Sequence, residues 1–266
     1  MGAQHQRLAQ PDRRNLDSGP LYLTRPEIGS LRNARPVPLS TEPYVRIILS
    51  TGTPAELVKP LDGRPSTRGL VLWPDIFGLR PLFVQHAQRL ANDHGWTVVV
   101  VEPYPGNESM TIAERQEFAK ELNDDAKLAD TVAAAELMEL AQVGVLGFCQ
   151  GGMWAMKALA SQRINRAVAF YGMVRVPPQW QGGGLGDAID VVTARAADGD
   201  LSLLCIFGTD DPWCPAEEIA EIEAAGATVK RYEGAGHGWA QDPDREGYLP
   251  VEAADAWARA EQFLGG

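Results

Sequence analysis

The sequence predicts an α/β fold: a mostly parallel central sheet with helices on both faces. Three observations carry that prediction. Continuous apolar runs such as Gly69-Leu70-Val71-Leu72-Trp73 and Thr97-Val98-Val99-Val100-Val101 have the length and composition of strands buried on both faces. Between them lie longer stretches whose apolar residues recur at helical spacing. Regular strand–helix alternation of this kind implies βαβ units and therefore parallel pairing. A chain of 266 residues is long enough for one sizeable core of this type.

Taken in order, residues 1–40 are rich in Arg, Pro, Gln and Asn, and Pro11, Pro20, Pro26, Pro36 and Pro38 would each interrupt a helix. This stretch is expected to be an extended arm, and residues 41–266 a single domain. Tyr44 to Leu49 and Ala55 to Val58 are short strand candidates on either side of Ser50-Thr51-Gly52-Thr53-Pro54, a hairpin signal. The Gly69–Trp73 strand follows, then a helix over about Pro81 to Asp93 and the strand at Thr97–Val101. Ala113 to Leu122 and Ala126 to Leu140 have helical spacing, with Leu128, Val132, Ala135 and Met138 on one side of the second. After Val143-Gly144-Val145-Leu146 comes the apolar helical stretch from Met153. Strands are expected at Ala167–Phe170, Leu201–Phe207 and Thr228–Tyr232, and helices at about Ala216–Ala225 and Val251–Phe263. Val176–Gly199, with Pro177-Pro178 and Gly182-Gly183-Gly184, is expected to be a long irregular segment of the kind that forms lids or binding loops.

Composition excludes several classes of function. With 45% hydrophobic and 22% charged residues the chain is ordinary for a globular protein. A net charge of −11 argues against nucleic acid and anionic membrane as partners. No apolar leader and no run of membrane-spanning length is present. The three cysteines, Cys149, Cys205 and Cys214, have neither zinc spacing nor a disulfide pattern, and a reducing cytoplasm is the expected location. No dinucleotide fingerprint or P-loop appears, and no metal or organic cofactor is expected. A small molecule is the expected partner, bound by a monomer or homodimer.

Chemistry concentrates where a strand meets a helix without a linker. Gly147-x-Cys149-x-Gly151 fits the nucleophile elbow of the α/β-hydrolase fold, with cysteine where serine is usual. In that turn the nucleophile sits in a strained conformation, and the helix starting beneath it favours a thiolate and a developing oxyanion. A cysteine nucleophile needs a base, and the base needs a third group to hold its tautomer. Asp211 lies 62 residues after Cys149 on the loop following one predicted strand, and His237 lies 26 residues further on the loop following the next. Nucleophile, acid, histidine is the order of this fold, and all three fall beyond the carboxyl ends of strands, where open α/β sheets place their sites.

These residues carry a more specific resemblance. Pro74-Asp75-Ile76-Phe77-Gly78, Gly147-Phe148-Cys149-Gln150-Gly151-Gly152, Gly208 with Asp211 and Pro215, and Tyr232 to Gly238 resemble the dienelactone hydrolase family, over about Tyr44 to Leu264. The resemblance implies Cys149 as nucleophile, His237 as base and Asp211, in preference to Asp210, as its partner. It also implies an oxyanion hole of the Ile76 and Gln150 backbone N–H groups. Two departures stand out. Asp75 occupies the place of a family glutamate that interacts with the resting thiol, and is one methylene shorter. Gln241 occupies the place of one of two family arginines that bind the substrate carboxylate, with Arg80, Arg175 and Arg245 as possible substitutes. A neutral or apolar ester or lactone is therefore expected as substrate, cleaved through a covalent acyl-enzyme. The alternatives are a cysteine hydrolase of a thioester or organophosphate, and a catalytically silent binding protein.

Other residues have blander expected roles. Cys205 and Cys214 are expected to be structural thiols, and His86 and His94 packing or capping residues. Asp75 has a local capping role as its competing assignment. Trp154, Trp180, Trp213 and Trp239 suggest an aromatic-walled pocket. Glu217, Glu218, Glu221 and Glu223 are expected to form a solvated helix face.

Overall fold

The computed structural model describes residues 44–266; the arm expected over residues 1–40 lies outside them. Among these residues eight strands form one sheet: β1 (Tyr44–Ile48), β2 (Pro54–Val58), β3 (Arg68–Trp73), β4 (Trp96–Val101), β5 (Val143–Phe148), β6 (Arg166–Phe170), β7 (Leu203–Gly208) and β8 (Thr228–Tyr232). Their order is β1-β2-β4-β3-β5-β6-β7-β8. The hairpin β1–β2 and the β2–β4 pair are antiparallel, and every other pair is parallel. The continuous apolar runs occupy the middle of the sheet. All of β4 and β7 is buried, because parallel strands covered on both faces leave no solvated side for polar residues.

Among the described residues seven helices join and flank the strands: α1 (Pro81–His94), α2 (Ile112–Phe118), α3 (Asp124–Leu137), α4 (Gln150–Lys157), α5 (Ala188–Ala197), α6 (Ala216–Ala224) and α7 (Pro250–Gly265). Their ends follow local chemistry. Pro81 opens α1 at a position where its missing N–H costs nothing, and Gly95 closes it in the left-handed conformation. Thr111 and Glu114 form a capping box that starts α2. Asn123 caps α3 by accepting from the Ala126 N–H at 3.2 Å. No described helix is long and apolar enough to cross a membrane.

The expected irregular segment at Val176–Gly199 contains a helix, α5, and a single 3₁₀ turn at Pro178–Trp180. The inward face of α5 is Ala188, Ile189, Val192 and Arg195, and the last of these disguised the stripe. Arg195 is buried and donates to the carbonyls of Leu159 and Ile164 while pairing with Asp200 at 2.8 Å. A charged residue in an inward position breaks the apolar period that a sequence reading follows. Two further helices stop early: α2 ends at Phe118 before a 3₁₀ turn, and α3 ends at Leu137. The acidic residues of α6 do more than meet solvent, since Glu221 pairs with Arg175 and Glu223 with Arg231.

Candidate active site

The site forms beyond the carboxyl ends of adjacent parallel strands. β5 ends at Phe148 and hands the chain to Cys149, which has φ 56° and ψ −120°, a conformation that L residues rarely adopt. The turn is held by the Cys149 N–H donating to the Phe170 carbonyl at 3.0 Å, and α4 begins at once with Gln150. Close packing explains the glycines around it: a Cβ on Gly147 would lie 2.0 Å from the Gly151 carbonyl oxygen, and one on Gly151 2.3 Å from that of Pro74. The next strand, β6, is followed directly by another positive-φ residue, Tyr171 at 38°.

Asp211, three residues past β7, is buried. Its Oδ1 accepts from the Trp213 N–H at 2.9 Å and its Oδ2 from His237 Nδ1 at 2.8 Å. Asp210, its neighbour, is exposed and meets Thr209 instead. His237 lies five residues past β8, and its side chain is only 14% exposed. Burial alone would lower its pKa, but negative charge on Cys149 and the hydrogen bond to Asp211 overcome that and raise it to about 10. Cys149, half-buried, and His237 line one cavity of about 150 Å³ together with Asp75, Ile76, Phe77, Ile112, Gln116, Trp180, Trp213 and Arg245.

Of the two residues that the resemblance implies as backbone donors, Ile76 lines this cavity and Gln150 directly follows Cys149. Ile76 lies in the turn after β3, and Gln150 is the first residue of α4, where an N–H has no partner within the helix. Neither amide donates to a protein acceptor among the described residues. Such a pair is able to receive a developing negative charge.

Asp75 lines the cavity, yet its hydrogen bonds run elsewhere. Oδ1 accepts from the Phe77 N–H at 3.0 Å, a local turn bond, and Oδ2 from Arg80 at 2.7 Å and Gln241 Nε2 at 3.1 Å. Gln241 in turn accepts from the buried Tyr171 hydroxyl. Among the described residues no hydrogen bond joins Asp75 to Cys149. Of the three arginines considered as substitutes, Arg80 is committed to Asp75 and Asp242, and Arg175 to Asp187 and Glu221. Arg245 alone lines the cavity, with its guanidinium 6.0 Å from the Phe77 ring and close against Gly238.

The aromatic wall is narrower than expected. Trp180 and Trp213 line the cavity, 5.9 Å apart, and Trp213 lies 6.2 Å from the His237 ring. Trp154 and Trp239 are core residues; Trp154 packs on Trp73 at 5.1 Å, and Trp239 on Tyr232 at 4.6 Å. Cys205 and Cys214 are buried, away from the cavity lining. His86 donates to the Gln241 carbonyl at 2.7 Å, and burial lowers its pKa to about 4, so it is a neutral packing residue. His94 stacks on Trp96 and meets Glu261 at 2.9 Å. Sequence reasoning missed Ile112 and Gln116, which line the cavity from one face of α2, and Gln116 accepts from the Trp180 indole at 2.9 Å. Their four-residue spacing is the single signal that might have paired them. Among the described residues no cluster of metal-ligating side chains occurs.

The chain is similar to known proteins along most of its length. The model of the dienelactone hydrolase family matches residues 55–266. A carboxymethylenebutenolidase of Rhodococcus opacus is 27% identical over 212 residues, covering 73% of this chain and 79% of that protein. A Klebsiella pneumoniae structure described as a candidate dienelactone hydrolase superposes with a TM-score of 0.71 at 21% identity, over 83% of this chain and 97% of its own. A dienelactone hydrolase-like promiscuous phosphotriesterase from metagenomic libraries gives 0.64 at 17% identity, over 83% and 96%. Both structures share the α/β-hydrolase fold with this chain. With the family model matching most of its length, the chain belongs to the dienelactone hydrolase family and is a lactone or ester hydrolase.

Proposed function

We propose that the protein cleaves its ester or lactone through a covalent thioester on Cys149, with His237 as base and acid and Asp211 as the partner that orients it. The observation that carries this reading is the meeting, in one cavity, of a strained cysteine and a histidine hydrogen-bonded at 2.8 Å to a buried carboxylate. In the first step His237 carries the proton that Cys149 gives up, and the thiolate attacks the substrate carbonyl carbon. The oxyanion is received by the Ile76 and Gln150 N–H groups. On collapse, the C–O bond to the leaving oxygen breaks and His237 returns its proton there; in a lactone that alcohol stays attached to the acyl chain. His237 then takes a proton from water, whose oxygen attacks the thioester, and the thiol is restored.

The charge balance explains why one histidine serves both steps. Negative charge on Cys149 is the largest of the influences that raise its pKa, with the hydrogen bond to Asp211 next. A thioester carries no such charge, so on acylation the largest upward influence is lost and burial pulls the ring toward its neutral, basic form. Asp75, held by Phe77, Arg80 and Gln241, acts as a support of the Ile76 turn in this reading.

Trp180, Trp213, Ile112 and Phe77 offer an apolar surface to the acyl part. Arg245 adds a cation beside it and widens the expected neutral or apolar substrate to include one with an apolar body and one anionic or carbonyl substituent. The reducing cytoplasm remains the proposed location, on the strength of three free cysteines. A panel of neutral esters, carboxylate-bearing esters and lactones, a thioester and a phosphotriester tests the reading on wild type, Cys149→Ala and Arg245→Met. Ester and lactone turnover should fall at least about a thousandfold in Cys149→Ala. Arg245→Met should raise KM for carboxylate-bearing substrates while leaving neutral ones nearly unchanged. Ester turnover that survives in Cys149→Ala contradicts the proposal.

A further inference from the structure

We propose that Arg115 is a positioning residue that braces both arms of the oxyanion hole; the inference rests on the covalent reading above. Arg115 lies on α2 and is 5% exposed, a rare place for a guanidinium. Its Nη1 donates to the Ile76 carbonyl at 3.0 Å and its Nη2 to the Glu108 carbonyl at 2.6 Å. Its guanidinium carbon stands 4.7 Å from the centre of the buried Tyr104 ring. The Tyr104 hydroxyl, in turn, donates to Gln150 Oε1 at 2.5 Å. One cation thus touches the Ile76 turn directly and reaches Gln150 through a single aromatic side chain.

The turn that carries Ile76 is shaped to admit this contact. It is closed by the Gly78 N–H donating to the Asp75 carbonyl at 3.0 Å and by the Phe77 N–H donating to Asp75 Oδ1. Between those two bonds the Ile76 carbonyl points out of the turn, and Arg115 is its partner. Gly78 has φ 80°, and a Cβ there would lie 2.5 Å from Arg115 Nη1, so the guanidinium fills the space a side chain would need. The Ile76 N–H shares its peptide plane with the Asp75 carbonyl, which the Gly78 N–H holds; Arg115 holds the next plane, and the two contacts together restrain the aim of that N–H. An oxyanion donor stabilises the transition state only when it is held within about 2.7–3.1 Å of where the charge will develop. On the opposite arm, Tyr104 holds the Gln150 side chain and with it the first turn of α4. The positive charge also lies in a poorly screened interior, against the Ile76 turn.

A merely structural Arg115 would damage every property of the site together, whereas a brace of the hole affects only steps that develop an oxyanion. The test compares wild type with Arg115→Met, Arg115→Lys and Tyr104→Phe in three assays. These are kcat and KM for p-nitrophenyl butyrate, the inhibition constant of an alkyl trifluoromethyl ketone, and the rate of Cys149 alkylation by iodoacetamide. The ketone adds to the thiol to give a tetrahedral adduct with an oxyanion; alkylation is a displacement at carbon and gives none. Arg115→Met should lose about tenfold to a hundredfold in kcat and weaken ketone binding in parallel, with KM and alkylation within about twofold of wild type. Arg115→Lys keeps the charge but loses the forked donor and should fall between. Tyr104→Phe should show the same split at smaller size, and these two variants decide the matter if Arg115→Met does not fold. Unchanged kcat and ketone binding, or losses that track alkylation, would overturn the proposal. Wild-type turnover that persists in Cys149→Ala overturns the covalent reading itself, a distinct outcome that takes the brace down with it.

Discussion

At the scale of single residues, His237 is where environment decides chemistry. Its ring is enclosed, which favours the neutral form, yet neighbouring negative charge holds its pKa near 10. The charge on Cys149 is the largest of the upward influences, ahead of Asp211. Removing the sulfur should therefore lower the pKa, since burial then acts against a weaker opposing field. Titration of the His237 ring by NMR should show it protonated well above pH 7 in the wild type and titrating at distinctly lower pH in Cys149→Ala. Equal pKa values in the two proteins would mean that the thiol and imidazole do not share a charge. The same scale shows what the sequence could and could not disclose. Cys149, Asp211 and His237 were legible because each follows a recognisable strand, in the right order. Arg245 lining the cavity was not, because which of several arginines reaches a pocket depends on side-chain paths that no spacing encodes. The division of labour among the tryptophans was hidden for the same reason: Trp180 and Trp213 face the cavity while Trp154 and Trp239 fill the core.

At the scale of elements, the site depends on α4 passing very close to the end of β3. Gly151 makes that approach possible, with the Pro74 and Trp73 carbonyl oxygens 2.3 and 2.4 Å from where its Cβ would stand. Both obstacles are backbone, so neither can swing aside. Gly151→Ala should cost about 3 kcal/mol of stability, at the upper end of overpacking effects, or abolish soluble expression. Gly186→Ala is the control: its nearest neighbour is a carboxylate oxygen at 3.8 Å, and stability should change by less than about 0.5 kcal/mol. Denaturant midpoints on both variants check the contrast. The strands were the most legible elements because a double-covered parallel strand is a plain apolar run. The helix α5 was not, because its inward face includes a buried arginine satisfied by carbonyls from other segments, a tertiary arrangement with no local signature.

For the molecule as a whole, one buried histidine makes acid costly. His86 is packed among Phe83, Phe148 and Trp257 and is neutral, its pKa lowered from 6.5 to about 4 by burial. Between those values the unfolded chain binds a proton that the folded chain refuses, so stability falls as pH drops from about 6.5 toward 4. The loss from this one residue amounts to about 3 kcal/mol at pH 4. Unfolding curves between pH 7 and 4 should be flatter by about that amount in His86→Leu than in the wild type. Parallel curves would show that the imidazole is not the group responsible.

The central claim is that Cys149 carries the acyl group. A rapid-mix reaction with p-nitrophenyl butyrate, quenched in acid and followed by peptide mass spectrometry, tests it most directly. The account predicts a burst of p-nitrophenol approaching one equivalent and a butyryl group on the peptide that contains Cys149, with neither in Cys149→Ala. An adduct on another residue, or full activity in Cys149→Ala, would contradict the account.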